Sequence, residues 1–168
     1  MKKLMAVLIL TLMIIFSCQA FADTQPISYT VDDLSFTPPS EFMLIEKSED
    51  SMIFMVKFSS AQLRVALLPS EGLSLENVGR MMQYSLGVNG FEYDATAIVN
   101  DLPYVDCTFA DESVPVDGKA ALFVDNSKET VYVFFYQNKA QLSENEMNSW
   151  QKLLESVRSP EIFLQTLK

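Results

Sequence analysis

The chain predicts an α+β fold: an antiparallel sheet of about eight strands with two helices packed on it, in β4-α-β4-α order. Three observations predict it. Runs with apolar residues at every second position are joined by short polar turns, the connection that antiparallel neighbours use. Two segments carry one apolar stripe each at helical spacing, so each needs a sheet to bury against. Residues 130–137 are apolar on both faces, which places them in mid-sheet, covered on one side by a helix and on the other by a second helix or a partner.

The leader comes first. Lys2 and Lys3 form a basic start, residues 4–16 are apolar apart from Thr11, and Ala20-Phe21-Ala22 gives the small-x-small pattern that a signal peptidase accepts. The apolar run is shorter than the about 20 residues of a spanning helix. A signal peptide over 1–22, cleavage between Ala22 and Asp23, and one α+β domain over 23–168 are therefore expected. A second reading stays open. Ile15-Phe16-Ser17-Cys18 resembles a lipobox, in which the cysteine is lipidated and becomes the first residue, although Phe16 stands where a small residue is usual. Both readings send the protein out of the cytoplasm, to the periplasm or beyond, free or lipid-anchored. No second long apolar segment follows, so no integral membrane span is expected.

After a lead over 23–27, residues 28–36 read as one strand with Tyr29, Val31, Leu34 and Phe36 as buried positions. Thr37-Pro38-Pro39-Ser40 interrupts it, since neither proline can donate to a ladder. Residues 42–46 resume as a strand and 47–51 form a charged turn. Residues 52–59 and 62–68 make an antiparallel pair, in which Leu63, Val65 and Leu67 alternate with Gln62, Arg64 and Ala66. Ser74 caps a helix whose stripe is Leu75, Val78, Met82 and Leu86, widened by Met81 and ended by Gly87 and Gly90.

Strands over 91–99 and 104–110 flank a turn at 100–103, and 111–117 is an acidic loop. Strands over 119–124 and 130–137 flank a turn at 125–129. The last helix, 143–157, opens with a capping box of Ser143 and Glu146. Its stripe is Met147, Trp150, Leu154 and Val157, with Leu153 beside it. Arg158 suits its C-terminal end and Pro160 stops it. Residues 162–167 are a short apolar tail expected to pack back on the domain.

Composition narrows function. Twelve basic residues stand against 22 acidic ones, a net charge of −10, which repels nucleic-acid phosphates and anionic headgroups. There is no histidine, which removes Ser-His-Asp and Cys-His catalysis, HExxH sites and His-ligated zinc. After cleavage Cys107 stands alone, so no intrachain disulfide forms. No cationic neighbour in sequence lowers its pKa, and it reads as a buried, inert thiol.

Asp111, Glu112 and Asp117 of the acidic loop offer oxygen ligands to calcium, but they lack the spacing and closing glutamate of an EF-hand, so the loop reads as solvated and no metal site is expected. Asp32-Asp33 and Glu49-Asp50 are adjacent carboxylates. Strand neighbours point to opposite faces, so Asp32 and Asp33 are not expected to converge. Tyr132, Phe134 and Tyr136 share one face of their strand, which becomes an interaction surface if no second layer covers it.

Phe36-Thr37-Pro38-Pro39 with Phe42, the Leu102-Pro103-Tyr104 turn, the strands over 119–124 and 131–136, and the helix carrying Trp150 and ending at Ser156-Val157 resemble the PsbP-like α/β/α sandwich group. In style they are closest to its small bacterial envelope proteins of the DcrB type. The resemblance covers most of the chain after the leader. It implies the same sandwich and a non-catalytic binding or accessory role, and it carries over no catalytic residue. The expectation is an exported, non-enzymatic envelope protein that binds a protein partner or supports an assembly, without cofactor. The alternative is a small-ligand or divalent-metal module of the periplasm, using the acidic loop or a pocket between sheet and helix.

Overall fold

The computed structural model describes residues 27–57, 59–87, 90–111 and 116–159. The expected leader with Ala20, Ala22, Asp23 and the alternative Cys18, and the apolar tail, lie outside the described residues. Five strands come first: β1 (Tyr29–Val31), β2 (Leu34–Phe36), β3 (Phe42–Lys47), β4 (Ser51–Val56) and β5 (Gln62–Pro69). Helix α1 (Leu75–Leu86) follows, then β6 (Gly90–Val99), β7 (Leu102–Asp111), β8 (Val116–Asp125), β9 (Thr130–Asn138) and helix α2 (Glu144–Ser156). No helix among the described residues is long and apolar enough to cross a membrane.

Two antiparallel meanders make the main sheet. One is β3-β4-β5 and the other β6-β7-β8-β9, and α1 carries the chain between them. They join where β9 pairs with β5, from Gln62 opposite Gln137 to Pro69 opposite Thr130, giving the order β3-β4-β5-β9-β8-β7-β6. β9 takes this central place because it is apolar on both faces. The expected α+β class, antiparallel sheet and two covering helices are all present.

Residues 28–36 are corrected from one strand to the hairpin β1–β2, which forms its own two-stranded sheet. The reason is the Asp32-Asp33 pair. Asp32 adopts φ 49°, a left-handed conformation that aspartate tolerates better than most residues, and the chain reverses there. The carboxylates consequently do converge: both lie 2.5 Å from the Lys128 ammonium. The turn after β6 is also tighter than expected. Asn100 and Asp101 both have positive φ, as a two-residue hairpin turn of the primed type requires.

The layers follow from the stripes. On one face, Val78 and Met82 of α1 pack over Phe91, Val105, Cys107, Ala120 and Leu122. On the other, Trp150, Leu153, Leu154 and Val157 of the α2 end join the β1–β2 hairpin over Phe54, Leu63, Phe123 and Phe134. The Ser143–Glu146 capping box forms as expected. At the far end of α2, the Asn100 amide donates to the carbonyls of Glu155 and Val157 at 3.0 and 2.9 Å, satisfying acceptors that the helix leaves open.

Candidate functional site

The two outer layers are offset. Helix α1 packs on β6, β7 and β8, and among the described residues nothing covers the same face of β3, β4 and β5. Alternation settles which side chains stand there. Phe54, Leu63 and Val65 point into the core on the α2 side. Ile53, Met55, Arg64, Ala66 and Leu68 therefore point the other way. Met43 stands directly opposite Met55, and Ile53 opposite Arg64.

This half-face is apolar and open. Met43, Met55 and Leu68 are 48%, 41% and 52% exposed, and Met81 on the adjoining side of α1 is 53% exposed. A cleft of about 100 Å³ runs along the seam between α1 and the sheet, lined by Leu68, Leu73, Met81, Met82, Val131 and Val133. It arises because α1 stops short of β5, leaving a wall of helix beside a floor of strand.

Two charges stand on this surface, Arg64 in its middle and Glu46 at its β3 edge. Across the sheet runs the row Glu46, Ile53, Arg64 and Phe135, with Arg64 exposed. Among the described residues no carboxylate lies within ion-pair distance of its guanidinium. The strand edges, in contrast, are protected. β3 carries a register shift between Leu44 and Glu46, and β6 one between Asp94 and Ala97. In the second, the Asp94 carboxylate accepts from the Thr96 N–H and hydroxyl at 2.7 and 2.6 Å. Such bulges twist an edge away from pairing with another chain.

A smaller polar patch lies on the opposite face, over β7 and β8. The Lys119 ammonium donates to the Thr108 hydroxyl at 2.6 Å and stands 3.6 Å from Asp106. Burial raises the Asp106 carboxyl despite this cation. The lysine is already engaged, and the group reads as a brace between strands.

The residues singled out from the sequence fall elsewhere. Tyr132, Phe134 and Tyr136 are fully buried, so the interaction surface expected there is corrected. The second layer is present: the Tyr136 ring stacks on Trp150 at 6.0 Å, and Phe134 meets Phe36 edge-on at 5.1 Å. Asp117 stands in the ladder opposite Asn138 and Ala110. The Asp111 side chain and Glu112 lie outside the described residues. No group of three acidic or cysteine side chains that could hold a metal ion occurs among the described residues. Cys107 is buried, and burial pushes its thiol up to about 12, with Asp106 adding to the effect.

The open half-face escaped the sequence reading, yet its signal is present. Among the outward positions of 42–46, 52–59 and 62–68, Met43, Ile53, Met55 and Leu68 are apolar where a solvated face would hold polar residues, although Glu46, Gln62 and Arg64 stand among them.

No protein-family model and no curated protein matches the sequence. Solved structures do match. The Ran-binding protein Mog1p of Saccharomyces cerevisiae superposes with a TM-score of 0.55 at 10% identity, over 83% of this chain and 98% of that one. Cyanobacterial PsbP from Synechocystis gives 0.56 at 13% identity, over 81% and 92%. A Bacteroides thetaiotaomicron protein gives 0.53 at 10% identity, over 82% of this chain and 50% of that one. What is common at such identities is the fold. The chain has the fold of PsbP and Mog1, as its sequence resemblance predicted.

Proposed function

We propose that this is an exported, non-enzymatic protein that holds a protein partner on the open half of its main sheet. The observation that carries this reading is the apolar surface of exposed Met43, Met55 and Leu68 with half-buried Ile53 among them, beside exposed Met81. A protein that worked alone would gain by making such a surface polar, and contiguous apolar patches mark interaction sites. Methionine suits the role, because its unbranched thioether repacks against a partner. A partner-binding use of this fold has a precedent in Mog1p, by its name a Ran-binding protein. The cleft, at about 100 Å³, and a hollow of about 270 Å³ beside Met55 and Gln62 both fall below the roughly 300–1,000 Å³ of small-molecule pockets. The leader expected from residues 1–22 supports work outside the cytoplasm, with the chain either free from Asp23 or anchored through a lipidated Cys18.

The test is site-specific photo-crosslinking of the full chain in the cells that make it. A photoreactive residue at Met55 or Leu68 gives a discrete adduct heavier than the 19.0 kDa chain, and one at exposed Lys152 on α2 does not. Equal labelling at all three positions contradicts the reading.

A further inference from the structure

We infer that the occupant of the open half-sheet is an amphipathic helix of the partner protein, laid beside α1 and presenting a carboxylate to Arg64. This rests on the partner-binding reading above and gives it a chemistry.

Size is the first ground. Strands lie about 4.8 Å apart, so the floor from β5 to β3 is about 10 Å wide. That is about the diameter of a helix with its side chains. The sheet already carries one helix on this face, and the wall of α1, with Met81 and Ser85 lining the cleft, gives a second helix a side to pack against. The edges provide the second ground. Strand addition needs a free, regular edge, and both β3 and β6 are bulged. An element that docks on the face must satisfy its own backbone, as a helix does.

Charge is the third ground. Arg64 stands amid Ile53, Met55, Ala66 and Leu68, and a partner that covers this surface takes its guanidinium out of water. A buried guanidinium must be paired, and a carboxylate matches its fork geometry. A second copy of this chain fits poorly. Related by a two-fold axis, it would bring its own Arg64 against the first and add another net charge of −10.

The experiment uses the full chain in its own cells, with the photoreactive residue at Met55, at Leu68 or at Thr108 on the polar patch, and identifies the attached segment by mass spectrometry. The expected segment comes from another protein, repeats apolar residues at i, i+3 or i+4 and i+7, and contains an aspartate or glutamate. Arg64→Glu lowers the adduct yield at Met55 by about tenfold or more, and Arg64→Lys keeps the greater part of it. The melting temperature of each Arg64 variant is measured alongside and is unchanged, since the residue is exposed. A segment of this same chain, a segment without helical periodicity or acidic residues, or a yield indifferent to Arg64→Glu overturns the inference. A discrete adduct at Met55 or Leu68 whose segment lacks this pattern leaves partner binding on the half-sheet intact, whereas adducts from Thr108 alone overturn both the inference and the placement of the partner there. Adducts from no position overturn both.

Discussion

The Tyr132 hydroxyl donates to the Asp32 carboxylate at 2.8 Å, from the floor of the core to the turn of the β1–β2 hairpin. Lys128 reaches the same carboxylate from the β8–β9 turn. The hairpin is thereby pinned at one end by charge, and at the other by the Ser35–Arg158 backbone pair. Tyr132→Phe keeps the ring and removes the hydroxyl, so it lowers stability by about 1–2 kcal/mol, as for a hydrogen bond to a charged group at a partly exposed site. Urea denaturation measures it.

The same contact is sensitive to acid. The hydrogen bond from Lys128 first, and that from Tyr132 after it, hold the Asp32 carboxyl below its usual range against the opposing effect of burial. A lowered folded pKa contributes stability that is present above the unfolded pKa, about 4, and is lost as pH falls through the folded value. Wild type is therefore more stable than Asp32→Asn at pH 7, and the gap closes below pH about 4. Melting curves of both proteins from pH 7 to pH 3 check the sign, and a gap that widened on acidification would refute it.

Gly79 lies inside α1, where alanine is normally better by about 1 kcal/mol. Here a Cβ would sit 2.6 Å from Cδ2 and 2.8 Å from Cε2 of Tyr93, and 3.0 Å from Val105 Cγ1. The ring is held by its hydroxyl, which donates to Glu76 at 2.8 Å. Overpacking of this kind costs about 1–3 kcal/mol, so the clash outweighs the propensity. Gly79→Ala is expected to be destabilising, and markedly less so once Tyr93→Ser has removed the ring and left only the Val105 contact.

Glu146 joins three elements. It accepts from the Ser143 N–H and hydroxyl at 2.9 and 2.7 Å, from Ser59 at 3.0 Å and from Asn138 at 2.8 Å. Burial pushes its carboxyl up, but these bonds together hold it below the usual range. Glu146→Ala removes the cap and the tie to the β4–β5 turn and the end of β9 together. It is expected to lose about 2–3 kcal/mol, against about 1 kcal/mol for Ser143→Ala.

What was legible in the sequence was mostly local. The Ser143–Glu146 box, the Ser74 cap, the alternation of Leu63 and Val65, and the two-faced apolar strand at 130–137 each fix an element by short-range chemistry, and each is found. The hairpin at Asp32 was missed because alternation runs through Tyr29, Val31, Leu34 and Phe36 with only a change of phase at the aspartates. The candidate site was missed for a different reason. Whether Tyr132, Phe134 and Tyr136 or Met43, Met55 and Leu68 face the solvent depends on how far α1, α2 and the hairpin are offset across the sheet. That offset is set by tertiary packing between segments far apart in the chain, and periodicity within one strand does not contain it.

The most direct measurement is the native size of the protein in extracts of its own cells, wild type against Met43→Ser/Met55→Ser. Both methionines are exposed, so replacing them changes stability by only about 0.5 kcal/mol. A docking surface predicts that wild type migrates in a complex, and that the variant migrates as the free chain with its melting temperature unchanged. A variant that keeps the wild-type size, or one that loses its fold along with its complex, contradicts the assignment of this half-sheet to a partner.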